Sequence, residues 1–224
     1  MNVLELFSGS ESFSKVARGR GYKTFTSDIN DFGTTDYITD IRNFDVDCVP
    51  FIPDLIWCSI PCTYFSVASI GKHWNKDHTP KTDNARLGIE IVKQTMAVIN
   101  HFQGLNGNLI YIIENPRGKL RKLGLIPTHF MKTVTYCQYG DFRMKPTDLF
   151  TNLFSWIPRP MCKNGDDCHV SAPRGSATGT QGIKGSYERS KVPYELCSEI
   201  FECALMRYNL FNPKQRSINR YELS

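Results

Sequence analysis

Two polar motifs each follow a short apolar run, and each carries a side chain that could take part in catalysis. Residues 55–58 lead to Pro61-Cys62, and residues 109–113 lead directly into Glu114. If both runs are strands of one open α/β sheet, the two side chains meet at its carboxyl edge. There a thiolate can act as a nucleophile instead of packing in a core. The pattern therefore predicts a two-group active site.

The elements that position these motifs alternate between strands and helices. Helices are expected from about Glu11 to Arg18, from a cap at Asn84 onward, and from Pro193 onward. The expected strands cover residues 2–7, 22–28, 37–40, 55–58, 109–113, 133–138 and 149–153. Such alternation predicts an α/β fold with a doubly wound, mostly parallel sheet.

Three regions are expected along the chain. Residues 1–157 would form the catalytic core, residues 158–190 a loop-rich recognition segment, and residues 191–224 a C-terminal helix with a polar tail. No apolar run approaches the roughly 18 residues of a membrane helix, and no cleavable signal opens the chain. We therefore expect a cytoplasmic monomer that does not contact membranes.

Positive charge gathers near the proposed chemistry. The chain has 27 basic and 22 acidic residues, whereas the segment from Glu114 to Lys145 has seven Lys or Arg residues and two acids. A basic surface beside an active site favours a nucleic-acid substrate, although a solvated basic face is the alternative interpretation. The chain contains no GxGxxG turn, so a nicotinamide-dependent dehydrogenase is a poor fit.

The Pro-Cys motif, the Glu-Asn motif and the opening residues 4–10 (Leu-Glu-Leu-Phe-Ser-Gly-Ser) resemble, in their order, the signature motifs of the cytosine C5-methyltransferases. The small size resembles the compact methylases of bacteriophages. The resemblance implies a Rossmann-like methyltransferase fold, S-adenosylmethionine as the cofactor, and methyl transfer to C5 of cytosine in DNA. It also implies the cytoplasm of a bacterial or phage-infected cell as the location.

The resemblance assigns catalytic roles to four residues. Cys62 would add as a thiolate to C6 of cytosine, and Glu114 would hydrogen-bond N3 as a carboxylic acid. Asn115 would orient the turn, and Arg143 would contact the target nucleotide. We expect a helix N-terminus and local positive charge to lower the pKa of Cys62. Without the resemblance, a cysteine after proline is more often an inert buried residue.

The implied cofactor site begins at the turn between the first strand and the first helix. An acid at position 28 would bind the ribose hydroxyls and an acid at position 40 the adenine amino group, although each could instead cap a turn. The family usually has glycines where Ser10, Glu11 and Ser12 stand. The assigned cofactor-binding residues are Phe7, Ser8, Gly9, Ser10, Asp28, Ile29, Asp40, Ile41 and Pro61. Val192-Pro193 resembles the step that begins the family's closing helix.

The nucleic-acid contacts are expected around the target site. The assigned residues are Ser66, Arg117, Lys145, Lys184 and Arg189. The recognition segment is short, which implies a relaxed or very short sequence preference, or a single-stranded substrate. Duplex DNA, single-stranded DNA, RNA and a free nucleotide therefore stay open, as does a catalytically silent nucleic-acid-binding protein of the same fold.

Cys162, Cys168 and His169 form a further group of residues that could bind metal. Two thiols and an imidazole are zinc ligands, and a structural zinc module is the third class of function considered. The spacing differs from that of a standard zinc finger, and no obvious fourth ligand follows in the sequence. We therefore predict no metal site.

Overall fold

The computed structural model describes residues 1–171, 183 and 185–213, which form one seven-stranded sheet with helices on both faces. The strands are β1 (Asn2–Leu6), β2 (Lys23–Asp28), β3 (Tyr37–Ile38), β4 (Leu55–Ser59), β5 (Ile110–Pro116), β6 (Met131–Thr135) and β7 (Pro146–Thr151). The helices are α1 (Ser12–Arg18), α2 (Ile70–His73), α3 (Asp83–Leu105), α4 (Ser186–Ser190) and α5 (Tyr194–Phe211).

The order of the strands is β3-β2-β1-β4-β5-β7-β6. All pairs from β3 to β5 are parallel, whereas β7 pairs antiparallel with both β5 and β6. The chain adds β2 and β3 on one side of β1, and it then adds β4 and the later strands on the other side. This reversal creates a crevice at the carboxyl ends of β1 and β4. The predicted doubly wound, mostly parallel α/β sheet of the Rossmann-like type is confirmed.

Alternating side chains of the central strands form two separate cores. Leu4, Ile56 and Ile113 point to the face covered by α3. Val3 and Trp57 point to the opposite face, which is covered by α1 and α5. Residues of both faces are buried, as expected for a parallel sheet that is covered by helices on each side.

Several element boundaries differ from the sequence-based expectation. The strand expected at 133–138 ends at Thr135, because residues 136–139 form a 3-10 turn that ends at Gly140 with φ 82°. The next strand begins at Pro146 rather than at Leu149. The long helix is capped by the Thr82 side chain, which accepts a hydrogen bond from Ala85 N, and not by Asn84.

The division into core, recognition segment and C-terminal helix remains a prediction. Within the described part of residues 158–190, the short helix α4 was not expected. Among the described residues, no helix is both long and apolar enough to cross a membrane.

Candidate active site

Cys62 lies three residues beyond the end of β4, where it opens a 3-10 turn that runs to Tyr64. The residue is exposed. Phe65, which follows the turn, is fully buried and anchors it in the core. The strand therefore delivers a thiol to the surface at the carboxyl edge of the sheet.

Glu114 lies near the carboxyl end of β5, directly beside the end of β4. In the parallel register of the two strands it is paired with Ser59. Only 3% of Glu114 is exposed. The Tyr136 hydroxyl donates a hydrogen bond to Glu114 Oε1 at 2.8 Å, and Lys145 Nζ lies 3.9 Å from the same oxygen. The carboxyl is therefore held in a fixed position by a neutral donor and a nearby cation.

Asn115 connects the two catalytic segments. Its Nδ2 donates a hydrogen bond to the Ile60 carbonyl oxygen at 2.8 Å, across 55 positions of sequence. The residue is fully buried, and its Oδ1 has no hydrogen-bond partner among the described residues. This bond fixes the Pro61-Cys62 turn against β5. That Asn115 orients the turn of its own motif stays a prediction.

Desolvation dominates the acid–base properties of both candidate groups, of Glu114 because the residue is buried and of Cys62 because protein surrounds its sulfur although the residue as a whole is exposed. It raises the pKa of Glu114, while Lys145 and the Tyr136 hydrogen bond act in the opposite direction. A raised pKa favours the carboxylic acid, the form that can donate a proton in a hydrogen bond. The dense protein around the sulfur also raises the pKa of Cys62, although Lys145 and Arg189 lower it. The expected lowering of the Cys62 pKa is therefore wrong, because desolvation outweighs the nearby positive charge.

Two glycines let the surrounding chain approach the cysteine turn closely. A Cβ at Gly118 would lie 2.2 Å from the Phe65 carbonyl oxygen, and one at Gly88 in α3 would lie 2.9 Å from Tyr64 Cβ. The Lys119 amide donates a hydrogen bond to the same Phe65 oxygen at 2.7 Å. The turn that carries Cys62 is therefore held from two sides by backbone that only glycine permits.

Arg143, which was expected to contact the target nucleotide, has no free guanidinium in this structure. It is buried, and its guanidinium is paired with Asp141, two residues earlier in the chain. The same guanidinium donates to the carbonyl oxygens of Arg189 at 3.2 Å and Lys191 at 3.4 Å. These bonds satisfy the guanidinium within the protein. In this structure Arg143 therefore positions the closing segment, and Lys145 is the cation beside Glu114.

The turn after β1 has left-handed backbone at three residues, a conformation that glycine adopts most easily. Phe7, Gly9 and Glu11 have φ values of 56°, 45° and 53°. The Gly9 amide donates to Asp28 Oδ2 at 3.0 Å, which ties the turn to the end of β2. Glu11 is buried and is paired with both Arg18 and Thr34. Side-chain bonds thus hold a left-handed backbone that glycine would adopt without strain.

The residues present fit a nucleoside-type cofactor at this turn. Ser8 Oγ is buried and has no hydrogen-bond partner in the part of the chain that the structure describes. Asp28 lies at the end of the neighbouring strand, with Oδ1 accepting from the Asn30 amide at 3.0 Å. An unpaired buried hydroxyl and a carboxylate with remaining lone pairs are groups that a polar ligand can satisfy.

The other assigned cofactor residues surround the same edge of the sheet. Ile29 is 62% exposed, Ile41 is buried, and Pro61 is partly buried. Asp40 acts as a local cap, because its side chain accepts from the Arg42 amide and its carboxylate pairs with the Arg42 guanidinium at 2.6 Å. A contact between Asp40 and an adenine would have to replace part of this pairing.

The closing segment contacts the cofactor turn directly. The Val192 amide donates to Ser12 Oγ at 3.2 Å, and a Cβ at Gly9 would lie 4.0 Å from Ser190 Oγ. Helix α5 begins at Tyr194, directly after Pro193. A cavity of about 470 Å³ lies along this segment, with Arg143, Glu188 and Val192 among its walls. Neither Cys62 nor Glu114 lines this cavity.

The assigned nucleic-acid-binding residues lie in different surroundings. Arg117 and Arg189 are exposed, whereas Ser66 is partly buried and shares a hydrogen bond with Ser69. Lys145 belongs to the catalytic cluster itself, with Nζ 4.5 Å from the Tyr136 ring centroid. Lys184 lies outside the described residues.

Tyr136 is the site residue that sequence reasoning missed. It is fully buried in the second core. It follows β6, which β7 separates from β5 in the sheet, and its hydroxyl reaches Glu114 of β5. Tyr136 falls within the strand expected at residues 133–138, where an aromatic side chain indicates only packing. The only available signal was its place just before the basic motif that contains Arg143 and Lys145.

Comparison with known sequences finds one viral relative that matches almost end to end. The chain is 30% identical over 225 residues to a protein named probable DNA (cytosine-5)-methyltransferase from Frog virus 3 (isolate Goorha). The match covers 90% of this chain and 99% of the relative. No family model matches the sequence.

Comparison with solved structures finds methyltransferases of low sequence identity. The Entamoeba histolytica methyltransferase EhMeth matches 73% of this chain with 12% identity and a TM-score of 0.49. The S. pombe Dnmt2 methyltransferase matches 70% of the chain with 15% identity and a TM-score of 0.42. The chain covers 57% and 52% of the lengths of these two structures.

Proposed function

Because the chain belongs to the cytosine-5 methyltransferase family, we propose that it transfers a methyl group from S-adenosylmethionine to C5 of cytosine in DNA. The observation that carries this proposal is the placement of Cys62 and Glu114 at the ends of neighbouring strands, fixed to each other by the Asn115 hydrogen bond. The name of the Frog virus 3 relative supports DNA as the substrate.

The chemistry needs a nucleophile because C5 of cytosine does not accept a methyl group unaided. In the proposed mechanism the Cys62 sulfur adds to C6, and the electron pair of the C5–C6 bond moves toward C5. Covalent catalysis of this kind divides one difficult step into easier ones. The Cys62 proton must leave first, and the positive charges of Lys145 and Arg189 favour the thiolate.

Glu114 is proposed to stabilise the ring during this addition. Burial favours its protonated form, which can donate a hydrogen bond to N3 as negative charge develops there. The Tyr136 hydroxyl holds one carboxyl oxygen, so the other is available to the base. Asn115 keeps the distance between the carboxyl and the cysteine turn constant.

S-adenosylmethionine, when bound, supplies an electrophilic methyl group on a sulfonium. The turn that contains Ser8 and Gly9, together with Asp28, would hold it beside Cys62, since β1 and β4 are neighbours in the sheet. After C5 has gained the methyl group, a base removes the C5 proton. The bond between sulfur and C6 then breaks and restores the thiolate and the aromatic ring.

The target cytosine must leave its base stack to reach Cys62, at a cost of a few kcal/mol. The exposed Arg117 and Arg189 are proposed to bind the phosphates that flank it, because cations at the rim of a site position nucleic acid without reading sequence. A substrate that is already single-stranded would avoid much of this cost.

Methyl transfer from radiolabelled S-adenosylmethionine to duplex DNA, single-stranded DNA and RNA tests the proposal. We expect labelled 5-methylcytosine in DNA, and we expect Cys62→Ala to reduce its formation by at least about 10³-fold. Cys48→Ala is the matched control, because Cys48 is also an exposed thiol but lies outside the site. It should methylate like the wild type.

A 5-fluorocytosine oligonucleotide tests the covalent step separately. Fluorine at C5 cannot leave as a proton does, so the wild type should remain bound to the oligonucleotide and migrate as a larger species in denaturing gels. Cys62→Ala should give no such species. Methyl transfer without a trapped adduct would disprove the role of Cys62 as nucleophile, and label in RNA alone would disprove DNA as the substrate.

A further inference from the structure

Four side chains that bind metals in other proteins converge on one side of the molecule, outside the catalytic cluster. They are Cys137, Cys162, Cys168 and His169, and their ligand atoms all lie within 4.8 Å of one another. Cys137 follows β6, whereas the other three lie in the segment after β7. Sequence reasoning had identified the last three and lacked a fourth ligand, because 24 residues separate Cys137 from Cys162.

The distances between these atoms are close to those of a tetrahedral zinc site. Zinc–sulfur bonds of about 2.3 Å and zinc–nitrogen bonds of about 2.0 Å place tetrahedral ligands roughly 3.5 to 3.8 Å apart. Cys168 Sγ lies 3.7 Å from Cys137 Sγ and 3.6 Å from His169 Nδ1, and Cys162 Sγ lies 3.8 Å from His169 Nδ1. Cys137 Sγ and Cys162 Sγ are closer, at 3.0 Å. Metal binding would have to increase this distance by less than 1 Å.

The surrounding backbone holds this arrangement in place. The Cys162 amide donates to Thr135 Oγ1 at 3.1 Å, which joins the segment to the end of β6. A tight turn follows, in which Gly165 has φ 100° and the Lys163 amide donates to Asp166 Oδ2 at 2.7 Å. This turn returns the chain so that Cys168 and His169 face Cys162 and Cys137.

The cluster combines burial with one nearby hydrogen-bond donor. Cys137 and Cys162 are each 8% exposed, while Cys168 is exposed, so the cluster is buried but open on one side. Gln138 Nε2 lies 3.4 Å from Cys168 Sγ and can donate to a thiolate. The Gly165 amide lies 3.5 Å from His169 Nε2, at the distance limit of a hydrogen bond. A metal ion on Nδ1 would place the ring proton on Nε2, and Nε2 could then no longer accept this bond.

We propose that Cys137, Cys162, Cys168 and His169 bind one zinc ion in a structural site. Four protein ligands leave no open position for water or substrate, so the metal would stabilise the fold and would not take part in the reaction. The site would fix the segment after β7 to the turn that begins with Tyr136, the residue that holds Glu114. This inference does not depend on the proposed methyl transfer.

The test measures metal directly in the full chain, purified without a histidine tag and with a phosphine reductant. We expect mass spectrometry of the metals to find about one zinc per chain, as for other sites with four protein ligands. Replacement of the zinc by cobalt(II) should give a thiolate-to-cobalt charge-transfer band in the near ultraviolet and strong visible bands typical of tetrahedral coordination.

Cys168→Ser should lose most of the zinc and the cobalt charge-transfer band, and Cys48→Ser is the matched control, since both thiols are exposed. Circular dichroism would show whether each variant remains folded. A folded Cys168→Ser variant that keeps the zinc content of the control would overturn the assignment. So would a wild-type chain without zinc and without the cobalt band, whether its thiols are reduced or joined as disulfides. None of these measurements requires DNA or S-adenosylmethionine.

Discussion

At the scale of single residues, Lys145 influences Cys62 and Glu114, the two proposed catalytic groups, at once. Its ammonium lies 3.9 Å from Glu114 Oε1 and lowers the pKa of Glu114 and the pKa of Cys62, although burial raises both overall. A cation favours the ionised form of each group. Lys145 therefore contributes to the pH dependence of the proposed reaction whichever of the two groups limits the rate, beside Arg189 at Cys62 and Tyr136 at Glu114.

Lys145→Met should move the pH profile of kcat/KM toward alkaline pH. Without the positive charge both pKa values rise, so both limbs of the profile shift in the same direction. A charge 3.9 Å away, as for Glu114, is worth at least about 1 kcal/mol, so we expect the limb that Glu114 sets to move by about one pH unit. Methyl transfer measured from pH 5.5 to 10 at fixed ionic strength gives the profile.

Lys145→Arg keeps the charge and serves as the control for this prediction. It should retain the wild-type pH optimum even if its rate is lower. If Lys145→Met lowers the rate but leaves the optimum in place, Lys145 binds nucleic acid without tuning the catalytic groups. The position of the optimum therefore separates an electrostatic role from a simple contact with phosphate.

The proximity of Cys62 and Glu114 could be predicted from the sequence, but several of their contacts could not. Cys62 and Glu114 each follow an apolar run, and parallel strands necessarily bring their carboxyl ends together. The pairing of Arg143 with Asp141 could not be predicted, because it is a local bond that spacing does not reveal. Tyr136 acts through its hydroxyl from within a core, where a sequence pattern indicates only packing.

At the scale of elements, the turn that carries Cys62 depends on close approach by the loop after β5. Gly118 forms an isolated β-bridge with Ser66, and its neighbour Lys119 donates to the Phe65 carbonyl oxygen. The loop can approach so closely only because position 118 has no side chain. The placement of the thiol thus depends on a residue that does no chemistry.

Gly118→Ala should destabilise the chain and impair methyl transfer together. The new Cβ would lie 2.2 Å from backbone that cannot rotate away, so the loop or the cysteine turn must shift. Overpacking of this kind costs about 1–3 kcal/mol. Urea unfolding would measure the loss of stability, and the 5-fluorocytosine adduct would measure the displacement of Cys62.

Gly104→Ala is the matched control for this substitution. Gly104 lies near the end of α3 with open space around the position of a Cβ, so alanine there should be neutral or stabilising by up to about 1 kcal/mol. A Gly118→Ala variant that unfolds at the wild-type urea concentration and forms the adduct at the wild-type rate would refute the argument.

The boundaries of β6 and β7 show where element prediction reaches its limit. Hydrophobic runs predicted β7 from Leu149, whereas the strand begins three residues earlier at Pro146. Thr147 and Asp148 are polar yet buried, because Asp148 pairs with Arg121 at 2.5 Å and accepts from Thr133 at 2.9 Å. Buried polar residues that are satisfied by distant partners do not follow the alternation from which strands are predicted.

At the scale of the whole molecule, the fold buries a carboxyl group in its second core. Glu5 of β1 is 1% exposed and faces α1, where it accepts from the Ser14 amide at 2.7 Å and the Phe13 amide at 3.3 Å. The negative charge of Glu11 acts in the same direction as burial, and Cys197 of α5 lies on the same face of the sheet. Burial raises the pKa of Glu5 to about 7, and the amide hydrogen bonds only partly oppose this effect.

The stability of the whole chain should therefore decrease as the pH rises toward neutrality. Glu5 has a higher pKa in the folded state than its ordinary value of 4.5, so the folded state binds more protons than the unfolded state between pH 4.5 and about 7. The stability that the folded chain keeps while Glu5 is neutral is fully present below pH 4.5 and is lost as the pH rises through about 7. The difference of pKa corresponds to about 3 kcal/mol.

Glu5→Gln should remove this dependence. The free energy of unfolding of Glu5→Gln minus that of the wild type should become more positive by about 3 kcal/mol between pH 4.5 and 8, because only the wild type must ionise a buried carboxyl. Urea denaturation at intervals across this range measures it, and Glu90→Gln, which removes an exposed carboxylate from α3, controls for the change in net charge. A constant difference between Glu5→Gln and wild type would mean that the helix amides offset the cost of burying the charge, so that Glu5 holds α1 on the sheet as an anion throughout this pH range.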